Sequence, residues 1–172
     1  MTKIPYIISF LLITLSMMSG CVALPDRLPH MRYPIDAVES GMAQLNYGFY
    51  AENPDESSAT RTEVRMGRWA EGDLNGSVRK DAALILESTG GGSGRFSYLA
   101  VVIDGRSPIP ALFLGDRIKI KGIEISTDGI ITVHWLGRGE NEAMASEPTI
   151  PIQKSYVYHN ESLLEVATPS LN

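Results

Sequence analysis

The segment Ala82-Ala83-Leu84-Ile85-Leu86-Glu87 is an unbroken apolar run, and Gly90-Gly91-Gly92-Ser93-Gly94 ends it three residues later. A run this short, stopped by glycines, suits a strand buried on both faces rather than a helix. Other short runs follow the same logic. Met42 to Tyr50, Thr62 to Trp69 and Phe96 to Ile103 are rich in aromatic, β-branched or aliphatic residues and read as strands. Ile118-Lys119-Ile120-Lys121 alternates, and after Gly122 the phase slips to Ile123 and Ile125. A slip at a glycine inside a strand predicts a β-bulge. Thr127-Asp128-Gly129 joins this strand to Ile130–Leu136, because Asp-Gly between two such runs is a hairpin signal. Ile152 to Tyr158 and Leu163 to Val166 form a last hairpin around Asn160-Glu161. Asn53 to Thr60 reads as a polar loop, and Asp36 to Leu45 is the best candidate for a helix. About seven short strands separated by turns predict a mainly β domain, an antiparallel sandwich or open barrel, over residues 35–168.

The N-terminus follows different rules. Lys3 precedes an almost wholly apolar stretch, Ile4 to Met18, which is followed by Met18-Ser19-Gly20-Cys21. About 15 apolar residues fall short of the roughly 20 that span a bilayer, but they suit the core of a removable signal peptide. Met18-Ser19-Gly20-Cys21 resembles a lipobox, with Met18 where Leu is commoner. The resemblance implies removal of residues 1–20 and a diacylglycerol on Cys21, often with a further acyl chain, such as palmitate, on the new amino terminus. Two or more chains anchor a protein firmly, whereas one holds it only marginally. Residue 22 is Val rather than the Asp associated with inner-membrane retention, so the expected address is the outer membrane, at its periplasmic face. Pro25, Pro29 and Pro34 then predict that residues 21–34 form an extended tether carrying the lipidated Cys21.

Charge and cysteine content narrow the partners. The net charge is -5, and loss of Lys3 with the signal peptide makes the mature chain more acidic. A chain without clustered Lys and Arg does not suit a nucleic-acid backbone, and on its overall charge it repels anionic lipid. Membrane attachment is therefore expected through the N-terminal lipid alone. With Cys21 as the single cysteine, no internal disulfide and no thiolate zinc site can form.

The motif with most chemical content is Gly72-Asp73-Leu74-Asn75-Gly76-Ser77-Val78-Arg79-Lys80-Asp81-Ala82-Ala83. Asp73, Asn75, Ser77 and Asp81 stand at positions 1, 3, 5 and 9 of an EF-hand-like start, with the Arg79 carbonyl at position 7. Alternate oxygens in a tight loop can converge on one hard cation, so calcium is the candidate ion. The stretch resembles a family of bacterial secreted and lipoprotein domains of unknown function that carry Gly-Asp-Leu-Asn-Gly-Asp-Gly-x-x-Asp-Ala-Ala. Gly91-Gly92-Ser93-Gly94, Phe96-Ser97-Tyr98-Leu99-Ala100, Phe113-Leu114-Gly115-Asp116-Arg117 and Glu147-Pro148-Thr149 extend the resemblance over roughly residues 33–166. The family implies no activity. Ser77-Val78 replaces the family's Asp-Gly, removing a carboxylate and the glycine of the sharp turn. The competing reading is a polar turn in which Asp73 and Asp81 bind backbone amides.

The remaining candidates give no catalytic pattern. His30, His134 and His159 lack metal or catalytic spacing, and Asp104, Asp116 and Glu124 are acids near strand ends with no sequence argument pairing them. Gly90–Gly94 lacks the Gly-Lys-Ser/Thr and following helix of a phosphate loop, and Ser93 is not in a nucleophile elbow. Leu114-Gly115-Asp116-Arg117 reads as a turn with an Asp-Arg pair, and Trp69 and Trp135 as core. The expectation is a non-enzymatic, membrane-anchored envelope lipoprotein whose β domain binds or scaffolds an unidentified envelope component. A calcium-stabilised structural module and an envelope-acting hydrolase are the alternatives.

Overall fold

The computed structural model describes residues 23–53 and 61–167. The signal peptide, Cys21, most of the expected loop at 53–60 and residue 168 lie outside them. The fold is mainly β, with three antiparallel sheets, none closed into a barrel, consistent with a sandwich. Its strands are β1 (Arg32–Pro34), β2 (Met42–Gln44), β3 (Phe49–Glu52), β4 (Thr62–Gly72), β5 (Asp81–Gly90) and β6 (Phe96–Ile103). They continue with β7 (Ser107–Pro108), β8 (Leu112–Asp116), β9 (Lys119–Ile125), β10 (Ile130–Gly137), β11 (Ile150–His159) and β12 (Ser162–Val166).

The central sheet runs β3-β4-β5-β6-β7, with β8 sharing the β6 edge. Its middle strand is the apolar run of the sequence, and Asp81 to Leu86 are all buried. Alternation assigns the two faces. Ala82, Leu84 and Leu86, with Tyr98, Ala100 and Val102 of β6, enter one core. Ala83 and Ile85, with Leu99, Val101 and Ile103, enter the other. The second face is covered by the sheet β12-β11-β10-β9 through Ile131, Val133, Trp135 and Tyr156. The bulge expected at Gly122 is present. His134 pairs with Gly122 and Trp135 with Ile120, so Lys121 has no partner. This offset lets Ile120, Ile123 and Ile125 all pack inward. The expected hairpins also form. Gly129 adopts φ +73° between β9 and β10, and Asn160 and Glu161 adopt positive φ between β11 and β12.

The first face is covered by the segment expected to be a spacer. Residues 23–34 are not an extended tether. Leu24–Arg27 forms one α-helical turn (α1), Leu28–His30 a 3₁₀ turn, and Arg32–Pro34 pairs with β2. Leu28 and Tyr33 are fully buried in the first core, and the Tyr33 hydroxyl donates to the Leu28 carbonyl at 2.8 Å. The prolines explain the difference. Each helical turn has Pro at its start, where the missing N–H costs nothing.

Three other expectations are corrected. Asp36 to Leu45 is not helical: it is a turn closed at Gly41 (φ +68°) followed by β2. The strand expected over Met42–Tyr50 is two strands, because Tyr47 and Gly48, both at positive φ, make a tight reversal between Asn46 and Phe49. Trp69 is 41 % exposed rather than core, whereas Trp135 is buried as expected. The register of β4 shifts between Met66 and Trp69, and the layers that cover β5 do not reach Trp69.

Candidate functional site

The loop from Asp73 to Asp81 joins β4 to β5, and its side chains divide into two groups. Asp73 Oδ1 accepts the amides of Asn75 (3.1 Å) and Gly76 (2.7 Å), and Asn75 Oδ1 accepts that of Ser77 (2.9 Å). These are Asx-type turns closed on the loop's own backbone. Asp104, at the end of β6 with φ +52°, completes this group. Its Oδ1 accepts the Ser77 hydroxyl at 2.6 Å and the Asn75 side-chain amide at 3.4 Å. These hydrogen bonds, Ser77 first, hold the Asp104 carboxyl below its ordinary value.

Asp81 belongs to a different group. It is fully buried, its Oδ2 accepts the Leu74 amide at 2.7 Å, and its Oδ1 accepts the Asp104 amide at 2.6 Å. The carboxylate therefore ties the loop to the end of β6. Asn75 and Ser77 face Asp104, and both Asp81 oxygens are engaged by backbone donors. Val78, at the position of the turn glycine, is wholly exposed, and the turn glycine is Gly76 at φ +76°. Asn75 and Ser77 act as donors toward Asp104. Among the described residues, no group of three or more His, Cys, Asp or Glu is placed to hold a metal.

At the opposite end of the central sheet, three separated motifs meet. Ser93 and Arg95 from the β5–β6 turn, Arg117 to Ile120, Glu147-Pro148 and Glu87 line an open cleft of about 500 Å³. Arg117 (φ +50°) is the buckle. Its Nε donates to the Ser93 carbonyl at 2.9 Å, Nη2 to Ser93 Oγ at 3.0 Å, and Nη1 to the Met144 carbonyl at 3.4 Å. Asp116 Oδ1 accepts the Arg95 amide at 3.0 Å, so the Phe113–Arg117 motif ends a strand and clamps the glycine turn. The turn expected at Leu114–Arg117 is therefore partly strand, with the pairing of β8 shifted between Ser97 and Tyr98. Lys119 and Glu147 pair across the cleft mouth at 2.9 Å, and the Lys119 ammonium is the first cause of the lowered Glu147 carboxyl. The Arg95 side chain is exposed beside them.

The other candidates stay apart. His134 Nε2 lies 3.3 Å from Glu124 Oε1, but both side chains are on a solvent-facing strand surface and neither lines the clefts described here. His30 stacks edge-on against Tyr47, and His159 contacts Asn160. Asp104 and Asp116 sit at opposite ends of β6. Sequence reasoning missed the Arg117 buckle and the Asp104 contacts, because both join residues more than 20 positions apart. No family model, curated protein or solved structure matches the chain.

Proposed function

We propose that the chain is a membrane-anchored envelope lipoprotein, held by lipid on Cys21 at the periplasmic face of the outer membrane. Its β domain binds or scaffolds another envelope component without acting on it chemically. One observation carries the reading. The first described element starts at Leu24, and the polar cleft of Ser93, Arg95, Lys119 and Glu147 lies at the other end of the central sheet. Strand β6 links the two ends with 8 residues, a rise of about 25 Å. An anchor at one end thus leaves a charged, open cleft facing away from the lipid, where a polar partner has access. The cleft's own polar groups are largely engaged with one another, which suits recognition more than proton transfer.

The first test is fractionation of Cys21→Ala in a chain whose residues 1–20 are replaced by a signal peptide that is cleaved without lipidation. It is expected to leave the membrane fraction while keeping the wild-type melting temperature; retention in the membrane contradicts the anchor. The second concerns the cleft. A photo-reactive residue at position 95 of the lipidated protein is expected to give discrete cross-linked species in intact cells, and these should fade with Lys119→Glu. Labelling no stronger than at exposed Ser162 would contradict a binding cleft. The competing hydrolase reading requires a catalytic pair in a pocket, and the exposed Glu124–His134 pair offers none.

A further inference from the structure

We infer that the end of the domain carrying Ala23 docks directly on the bilayer, with Arg27, Arg79, Lys80 and Arg106 on anionic phospholipid headgroups and Val78 in the interface. The inference rests on the lipid-anchor reading and adds an orientation to it. Because α1 starts at Leu24 and packs near Gly105, the chain has no spacer after Ala23. Ala23 stands two positions after Cys21, a reach of about 7 Å at full extension. An acylated Cys21 would therefore hold this end of the domain at the headgroups.

The surface there fits that contact. Ala23, Leu24 and Pro25 share a shallow cleft of about 540 Å³ with Arg27, Arg79, Lys80 and Arg106. The acids in that lining are Glu71 and Asp104, and Asp104 already accepts two side-chain donors. Among the described residues, none of the four cations lies in an ion pair, although Arg79 and Arg106 are near enough to help hold the Asp104 carboxyl below its ordinary value. Asp73 and Asp128 line a separate small cleft with Gly76 and Gly129, and the exposed Asp26 precedes Arg27 on α1. Val78, between Ser77 and Arg79, is the most exposed large apolar side chain among the described residues. An apolar tip followed by Arg79 and Lys80 is an arrangement that inserts at an interface while its cations stay at the headgroups. The overall negative charge conceals this patch, because its members come from three separate stretches of sequence.

The test uses the full lipidated chain in vesicles. With Cys21 acylated, Val78→Cys supplies the one free thiol, and Gly92→Cys does so at the opposite end, where an added Cβ meets only ordinary contacts. Each is labelled with an environment-sensitive fluorophore and exposed to lipid-borne quenchers. In phosphatidylcholine–phosphatidylglycerol vesicles the label at position 78 is expected to be quenched several-fold more than that at 92. Arg79→Glu with Lys80→Glu is expected to bring the ratio close to one while the protein still floats with the vesicles. Equal quenching at 78 and 92, or a ratio unaffected by the charge reversal, overturns docking but leaves the anchor intact. Protein that fails to float with the vesicles overturns the anchor and, with it, the docking.

Discussion

Asp81 is the residue on which the β4–β5 turn depends. A buried carboxylate bonded to two backbone amides is stabilising only while both donors are present, and removing it orphans both. Asp81→Ala is expected to cost about 2–6 kcal/mol, at roughly 1–3 kcal/mol for each of the two orphaned amides. The loss should be the same in calcium and in excess chelator when read by thermal unfolding. Asp73→Ala should behave likewise with a smaller loss. A deficit that appears only in calcium would revive the ion-stabilised loop. Tyr98 sets a second residue-scale expectation. Burial, with the Asp36 carboxylate adding, pushes its hydroxyl up to about 12 from 10.0. The folded state therefore keeps a proton that the unfolded chain releases. The associated stability is fully present below pH 10 and is lost as pH rises to about 12. Urea midpoints measured across that range should fall for the wild type and fall less steeply for Tyr98→Phe. A parallel slope would show that Tyr98 is not a source of the alkaline loss.

At the scale of elements, the N-terminal segment is a structural layer. Leu28→Ala removes a fully buried side chain and is expected to destabilise by about 2–5 kcal/mol. Deleting residues 23–31 uncovers the Ala82, Leu84 and Leu86 face and should leave no cooperative unfolding transition. A tether would permit the same deletion at no cost. Gly72 shows how closely the sheets approach, because a Cβ there would overlap the Ile125 side chain. Gly72→Ala is expected to cost about 1–3 kcal/mol through overpacking, measured by the same denaturation. The elements legible in the sequence are those specified locally. The two-faced run of β5 needs no partner to be read, and Gly122 and Asp128-Gly129 announce a bulge and a hairpin by their own conformational freedom. What escaped reading depends on distant partners. Pro25 and Pro29 have the composition of a spacer, yet they start helical turns held by distant partners, through packing in the first core and hydrogen bonds from Tyr33, Gln44 and Gly48. The shifted pairing at Leu114 and Gly115 breaks the alternation that would mark β8. At the sites, Asp73 and Asp81 were visible as amide acceptors, but Asp104 was not, since 27 residues separate it from Ser77.

At the scale of the whole molecule, a stacked β domain has two distinct ends. One bears the emerging N-terminus, the Asp81-held loop and a basic patch; the other bears the cleft clamped by Arg117. No helix among the described residues is long and apolar enough to cross a membrane. The proposed attachment is acylation of Cys21, and on that proposal the same step would set which end meets lipid and which meets a partner. The most direct measurement is the mass of the N-terminal proteolytic peptide of the protein isolated from membranes. The account predicts a peptide beginning at Cys21 and carrying diacylglycerol. A mature protein that retains residues 1–20, or begins elsewhere with Cys21 unmodified, would contradict it.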